Sequence, residues 1–339
     1  MPNKSQDWTR FTPPKIPISH PWISRFYPSS ALLQCSSQAE EQISTLHQEI
    51  YGSPPSTPIS FSIGNGGAGY TGLLKALSEA FISENGNDFR IGWISNHSRH
   101  SQIALLADVV QVALTYEPEN EALAEKEGWC RKVSKGGLLP VFWDHFILVG
   151  PRDKYKEMGG RGLEGVLSSI KKEKWSWHSR GDGSATYVKE GRLWRSVGVK
   201  DLKRESWVEV LPGTPYVALV RAERDGAFLI TDRATFLTAK RDEVIPNMRC
   251  FVEGGEKLLN PCSAMVWDYG YRGAGERRSE NMMAARFAEW LGGEVAQGVV
   301  REFGRDWSGG KPLFTEAIKE EFDIEDRLDF DEQSVSAKL

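Results

Sequence analysis

A short segment at residues 179–186, SRGDGSAT, combines an arginine with hydroxyl side chains and glycines. We predict that a strand ends near Ser179, that a glycine-rich turn follows, and that a helix begins near Ser184. The first N–H groups of a helix have no partner within the helix and carry partial positive charge, which suits an oxyanion. Arg180 adds a charged fork of N–H donors, and the hydroxyls of Ser184 and Thr186 add further donors. The sequence therefore predicts a site for a small tetrahedral anion.

Each feature of this segment also has an explanation that needs no ligand. Ser184 fits an N-cap that accepts a hydrogen bond from the helix backbone. Arg180 and Asp182 are close enough in sequence to form an ion pair. The tripeptide RGD occurs by chance in many chains, so it does not by itself indicate adhesion. These alternatives stay open at the level of sequence.

A second glycine-rich turn lies in FSIGNGGAGYTGLLKAL, where a predicted strand passes into a helix. The run Gly64, Asn65, Gly66 and Gly67 would let a ligand approach the backbone closely. Its spacing matches neither the dinucleotide-binding GxGxxG fingerprint nor a P-loop, so a nucleotide site is the weaker interpretation. A tight strand-to-helix turn without a ligand is the alternative.

Composition and charge limit the classes of function. The chain has 339 residues, 40% of them hydrophobic, and a formal charge of −4, so it predicts a globular protein without a basic field for nucleic acid. No stretch reaches the length of a membrane span, and the first residues lack the apolar core of a secretory signal. We therefore expect no membrane insertion and a cytoplasmic location. The four cysteines show no CxxC spacing, which favours reduced thiols.

The elements that must position these turns follow an alternating pattern. From Ile59 onward, short apolar strands alternate with amphipathic helices, which is typical of βαβ units and a parallel sheet. We predict an extension at residues 1–55 with one helix at 36–52, a first lobe at 56–143 and 240–320, and a second lobe at 144–239. The crossovers between the lobes are expected near Trp143 and Ala239, and an acidic tail covers 321–339.

Several segments in this order resemble the periplasmic tungstate-binding proteins of bacterial ABC transporters. The similar segments are SRGDGSAT, LPVFWDHFILVGPRD, GAFLITDRATFLTAK, ADVVQVALTYEPENEALAEKEGW and AARFAEWLGGEVAQGVVREFG. The resemblance covers roughly residues 58 to 320. It implies an α/β, two-lobed type II periplasmic-binding-protein-like fold. It further implies an interlobe cleft that binds tungstate or molybdate, with no other cofactor and no catalysis.

The resemblance also assigns residues to the ligand. It implies that Arg180 and Thr186 contact the anion, with Ser184 nearby and Asp182 holding backbone N–H groups or Arg180. The hydroxyl-rich first turn of the family falls on the glycine-rich run described above, where only backbone N–H groups and an amide remain. Another turn of the family aligns with ISNHS, which implies ligand roles for Ser95 and Asn96.

Two other kinds of function stay open. Four histidines lie beside the predicted cleft, and imidazole both binds transition metals and titrates near neutral pH. A metal-dependent or acid–base enzyme could use this set: His97, His100, His145 and His178. If the chain is a cytoplasmic solute-binding protein, its binding of the oxyanion would serve to buffer, sense or deliver that ligand. The third possibility is a ligand-switched module that recruits an unknown protein partner.

Overall fold

Two long strands connect the halves of the molecule in this computed structural model. The structure describes residues 15–17, 42–86, 88–133, 140–158, 160–269 and 281–317. The strands are β1 Lys15–Pro17, β2 Gln42–Ser44, β3 Glu49–Tyr51, β4 Ile59–Asn65, β5 Arg90–Ser95, β6 Val112–Thr115, β7 Cys130–Lys132, β8 Phe142–Pro151, β9 Trp177–Ser179, β10 Val208–Val210, β11 Leu229–Asp232, β12 Met248–Glu253, β13 Leu259–Trp267 and β14 Thr315–Glu316.

Helices fill the intervals between most of these strands. They are α1 Gly67–Thr71, α2 Leu73–Glu84, α3 Ser98–Leu106, α4 Pro118–Glu127, α5 Tyr155–Met158, α6 Gly162–Glu173, α7 Ala185–Ser196, α8 Pro215–Asp225, α9 Arg233–Arg241, α10 Met282–Trp290 and α11 Glu294–Glu302. Among the described residues, three short 3-10 helices cover Arg152–Lys154, Leu202–Arg204 and Glu256–Leu258. Within the described ranges, none of the helices is both long and apolar enough to cross a bilayer.

The main sheet has ten strands in the order β11-β8-β13-β6-β4-β5-β3, with β12 and β14 on β8 and β7 on β13. Strand β4 pairs in parallel with β5 and β6, as the βαβ pattern predicts. The pairs that join β8 to β11, β12 and β13 are antiparallel, so the sheet is mixed and not wholly parallel. Strand β9 pairs in parallel with β10, and β1 pairs antiparallel with β2.

The register of β8 and β13 shows how the two lobes are joined. The first part of β8 pairs with the first part of β13, from His145 opposite Leu259 to Phe142 opposite Cys262. Further along, Phe146 to Val149 pair with β11 in the second lobe, whereas Ser263 to Val266 pair with β6 in the first. Each strand therefore starts in the shared segment and ends in a different lobe. This arrangement gives an α/β fold of two lobes with a cleft between them.

Each lobe has its own hydrophobic core on both faces of its part of the sheet. In the first lobe, one core packs around Phe81 and Phe287, and the other around Ile103 and Trp129. In the second lobe, Trp177 belongs to the larger core and Leu219 to the smaller one. Because burial of apolar side chains is the main driving force for folding, these cores stabilise each lobe.

Some local predictions are wrong. The helix expected at 36–52 is replaced by β2 and β3 over its described part, because β3 pairs with β5 and β2 with β1. The amphipathic pattern predicts one helix at 279–304, but its described part, 281–304, forms two helices that are separated by a turn through Gly292 and Gly293. The remainder of the 1–55 extension and the acidic tail at 321–339 lie outside the described residues. The lobe boundaries stay a prediction; β12, beyond Ala239, pairs with the same stretch of β8 that pairs with β11.

Candidate functional site

The turn that follows β9 can only be formed with glycines at two positions. Gly181 and Gly183 have φ values of +58° and +71°, in the left-handed region that disfavours side chains. A Cβ atom on Gly181 would also lie 2.2 Å from a methyl carbon of Val210. The glycines thus let the chain reverse between β9 and α7, and this reversal places Arg180 at the start of the turn.

Arg180 is held by three hydrogen bonds of its guanidinium group. Its Nε donates to the carbonyl of Gly213 at 2.9 Å, and its Nη1 donates to Oγ1 of Thr186 at 3.2 Å. Its Nη2 forms an ion pair of 2.6 Å with Asp182, and its side chain is 10% exposed. The structure thus brings Arg180 and Thr186 together, as predicted, and fixes the plane of the guanidinium. The N–H groups that these three contacts leave over can donate to a ligand.

Asp182 supports Arg180 and the beginning of α7. Its Oδ2 accepts from Arg180, and its Oδ1 accepts from the backbone N–H of Ser184 at 3.1 Å, which confirms the role expected for this carboxylate. Burial opposes its ionisation, but Arg180 and His97 outweigh that effect and lower the pKa of Asp182. Ser184 is the N-cap of α7 and accepts from the N–H of Tyr187 at 3.4 Å. The open alternatives for this segment, an N-cap and an Arg–Asp pair, are therefore both present.

Glu190 lies behind the turn and fixes the residue before Arg180. It is 3% exposed, and its two oxygens accept from Nε1 of Trp177 and from the hydroxyl of Ser179, each at 2.5 Å. Burial raises the pKa of Glu190 to about 7. This second carboxyl group near Arg180 therefore changes its charge around neutral pH.

On the first lobe, the asparagines of the predicted site have structural roles. Asn65 donates from Nδ2 to the carbonyl of Leu114 at 3.0 Å and accepts at Oδ1 from the N–H of Gly69 at 3.0 Å. Asn96 pairs through both side-chain atoms with the backbone of Ser44, at 2.8 and 3.0 Å. Both amides are buried and engaged, so they hold the ends of β4 and β5 in place.

The glycines of the same turn differ in their surroundings. A Cβ on Gly64 would lie 3.2 Å from Ser101, and one on Gly66 would lie 3.3 Å from the carbonyl of Asn96. These two positions allow close packing of the backbone against neighbouring residues. A Cβ on Gly67 would have no atom within 4 Å among the described residues, so Gly67 is the member of this run that faces open space.

Ser95 contributes to the cleft together with a residue that the sequence did not indicate. Its hydroxyl donates to the phenol oxygen of Tyr70 at 2.6 Å. Burial raises the pKa of Tyr70, while the positive charge of Arg180 and the bond from Ser95 act in the opposite direction. Because Tyr70 belongs to α1 and Arg180 to the second lobe, this interaction spans the two lobes.

A crevice of about 20 Å³ lies between the lobes beside these residues, with room for roughly one water molecule. It is lined by Gly67, Tyr70, Thr71, Thr214, Pro215, Tyr216, Thr235 and Thr238. Most of these residues carry hydroxyls, but the surface they expose to the crevice is mainly carbon, because the hydroxyls of Thr71, Tyr216 and Thr238 donate to Ala68, Asp242 and Ala234. Sequence reasoning missed its threonines and tyrosines. The Thr-Pro pair that starts α8 was recognisable as a helix beginning, but its proximity to Arg180, through the carbonyl of Gly213, depends on the fold.

The four histidines are not gathered at one point. His145 is buried, and its Nε2 is 2.7 Å from the hydroxyl of Thr315. Its burial and, to a smaller extent, the positive charge of Arg233 hold its pKa well below the usual range. The rings of His97 and His100 stack with their centroids 3.7 Å apart. Over the described residues, no group of three metal-ligating side chains contains two of these histidines. The proposed histidine metal centre stays a prediction without support from the geometry.

Comparison with known proteins identifies a matching protein family and several relatives in sequence. The PBP superfamily domain matches residues 52–294. The tungstate-binding protein TupA of Peptoclostridium acidaminophilum is 32% identical over 256 residues, which cover 72% of this chain and 81% of that protein. TupA of Campylobacter jejuni is 26% identical over 238 residues, covering 69% and 82% of the two chains.

Solved structures show the same fold. A periplasmic protein described provisionally as metal-binding superimposes with a TM-score of 0.66 at 28% identity, covering 80% of this chain and 100% of that one. TupA of Desulfovibrio alaskensis G20 gives a TM-score of 0.62 at 21% identity, with coverage of 77% and 99%. These relatives give no support to the enzyme or the interaction-module alternative.

The predicted cytoplasmic location is wrong. The solved relative at 28% identity is described as periplasmic, and its match to this chain points to a periplasmic and not a cytoplasmic location. The prediction depended on the lack of an apolar segment in the first residues. The first residues carry no information about the folded part of the chain, and the match to the PBP superfamily lies in that part, at residues 52–294.

Proposed function

Because this chain belongs to the PBP superfamily and, within it, to the family of TupA tungstate-binding proteins, we propose that it binds a tetrahedral oxyanion between its lobes. The proposed ligands are tungstate and molybdate, which carry the same charge and the same tetrahedral arrangement of oxygens. The protein would act as the solute receptor of an ABC transporter. It would not act as an enzyme.

The observation that carries this proposal is the placement of Arg180. The side chain is one-tenth exposed, is fixed by Gly213, Thr186 and Asp182, and interacts electrostatically with Tyr70 of the opposite lobe. A charged donor with a fixed orientation needs little reorganisation when an anion arrives, so its hydrogen bonds contribute more of their energy to binding.

The rest of the cleft matches a guest that accepts hydrogen bonds. Tungstate and molybdate are fully deprotonated at neutral pH, so each of their contacts must come from a donor. The hydroxyls of Thr186, Tyr70 and Ser95 can rotate to donate, and the open space at Gly67 lets an anion approach the backbone. Asp182 neutralises part of the charge of Arg180, and its other carboxylate oxygen accepts from the backbone N–H of Ser184.

The strands shared by the lobes provide the motion that such binding needs. The crevice of about 20 Å³ is small for an ion of five heavy atoms, so the lobes must separate for the ligand to enter. The segments of β8 and β13 that pair with each other lie between the two lobes and can act as the hinge. An ion pair of 2.6 Å between Arg192 of α7 and Glu119 of α4 links the lobes at the surface and would break on opening.

Calorimetric titration tests the proposal. The chain is titrated with tungstate, molybdate, sulfate and phosphate, and the titration is repeated with Arg180→Ala and with Arg204→Ala. Arg204 is the matched control because its side chain is 86% exposed and pairs only locally with Asp201. Loss of a charged hydrogen-bond donor should weaken tungstate binding by about 10- to 100-fold in Arg180→Ala, with no change in the control.

Two results would contradict the proposal. One is the lack of heat with every oxyanion in the panel, which would remove the ligand class. The other is an unchanged affinity in Arg180→Ala, which would remove the site.

A further inference from the structure

A buried histidine and two carboxylates converge on the side of the second lobe. His178 of β9 lies directly opposite Glu209 of β10 in the parallel pair. Asp225, the last residue of α8, approaches the same imidazole. The three residues come from three different elements, so the fold and not the local sequence brings them together.

The distances within this cluster are those of ligands around a metal ion. Nε2 of His178 is 3.6 Å from Oε2 of Glu209 and 3.6 Å from Oδ2 of Asp225, and the three atoms all lie within 4.8 Å of one another. Both contacts are longer than a normal hydrogen bond. Two ligands of a tetrahedral zinc ion, each about 2.1 Å from the metal, are about 3.4 Å apart.

Within the described part of the chain, His178 is buried but lacks the hydrogen bonds that a histidine in a protein core normally makes. The residue is 4% exposed, and neither ring nitrogen has a hydrogen-bond partner among the described residues. A buried polar atom without a partner is unfavourable, so it indicates an interaction that the protein alone does not supply. A neutral imidazole has a lone pair available for a metal.

We propose that His178, Glu209 and Asp225 bind one divalent cation of the zinc class. One nitrogen and two carboxylate oxygens suit zinc, whereas calcium and magnesium prefer shells made of oxygen alone. Glu209 is 62% exposed, so the ion has access from solvent and a water molecule can complete the tetrahedron. The proposal does not depend on the oxyanion site, because its residues are not those assigned to the anion.

Arg224 competes with the metal for Asp225. Its Nε and Nη2 donate to the two oxygens of Asp225 at 2.6 and 2.8 Å. The Arg224 side chain is 72% exposed, so it can swing into solvent when a cation arrives. Removal of this guanidinium should therefore strengthen metal binding, whereas the loss of a structural contact alone would not.

The experiment is a calorimetric titration of the full chain with zinc chloride in buffer free of oxyanions. We expect one equivalent of zinc per chain, an affinity at least about 10-fold lower in Glu209→Gln and in Asp225→Asn, and a higher affinity in Arg224→Ala. Both carboxylates are near the surface, so these variants do not depend on the folding of a His178 variant. Glu294→Gln, at an exposed position in α11, is the control and should behave as the wild type.

Cobalt gives a second readout. The visible absorption of tetrahedral cobalt should appear at one equivalent in the wild type and be lost in Glu209→Gln. The proposal is overturned if zinc does not bind stoichiometrically, or if its affinity is the same in Glu209→Gln and Asp225→Asn as in the wild type.

Discussion

Glu190 makes the stability of the second lobe depend on pH in a way that one substitution can reveal. The carboxyl group is 3% exposed and accepts hydrogen bonds from Trp177 and Ser179, yet burial still raises its pKa from 4.5 to about 7. The folded chain therefore keeps the proton of Glu190 at pH values where the unfolded chain has lost it. We predict that Glu190→Gln removes this contribution.

The sign and the size follow from proton linkage. Between pH 4.5 and about 7 the folded state binds more protons than the unfolded state, so the free energy of unfolding falls as the pH rises through this window. The stabilisation is fully present below pH 4.5 and is lost as the pH rises through about 7. Since one pKa unit corresponds to about 1.4 kcal/mol, Glu190 accounts for a loss of about 3 kcal/mol across the window.

The assay is urea unfolding of the wild type and of Glu190→Gln at several pH values from 4.5 to 8. The difference in unfolding free energy between the two proteins should change by about 3 kcal/mol over this range, with the variant gaining relative to the wild type as the pH rises. Glu294→Gln, an exposed position, is the control and should follow the wild type. Parallel curves for Glu190→Gln and the wild type would refute the reasoning.

Three further predictions concern residues in and beside the cleft. Gly69→Ala should lower the free energy of unfolding by about 1–3 kcal/mol in urea titrations, because its Cβ would lie 2.1 Å from the buried indole of Trp93. Gly67→Ala, with nothing within 4 Å among the described residues, should leave stability intact and lower oxyanion affinity instead; the reverse pattern would contradict the packing. Glu117, which lies just before α4, is buried, and this burial raises the pKa of its carboxyl group to about 7, with the charge of Asp182 acting in the same direction. Glu117 therefore gains a negative charge between pH 6 and pH 8. Because a negative charge near Asp182 repels an anion, tungstate affinity measured by calorimetry should fall from pH 6 to pH 8. Glu117→Gln should reduce that fall, and an equal fall in the variant would contradict the assignment.

The sequence predicted those parts of the site that depend on near neighbours. The turn at Gly181 and Gly183, the N-cap at Ser184 and the pair of Arg180 with Asp182 all lie within a few residues, and all are present. Local signals also predicted that a strand ends near Ser179 and that a helix begins near Ser184, where β9 and α7 lie.

Other parts could not be predicted because they depend on contacts between distant residues. Asn65 and Asn96 were assigned to the ligand, but their amides hold the backbones of Leu114 and Ser44, about fifty positions away. A helix was expected at 36–52, but the described residues of this segment form strands that pair with β1 and β5. Local helix propensity does not account for pairing with distant strands. Likewise, the raised pKa of Glu190 depends on its burial, and burial is a property of the fold.

The most direct test of the central claim is a crystal structure of the protein with tungstate, located by the anomalous scattering of tungsten. The account predicts one strong anomalous peak between the lobes, with oxygens of the anion within hydrogen-bonding distance of the Arg180 guanidinium and of the Thr186 hydroxyl. A tungsten peak elsewhere, or one in the cleft with Arg180 bound only to Asp182, Thr186 and Gly213 as it is here, would contradict it.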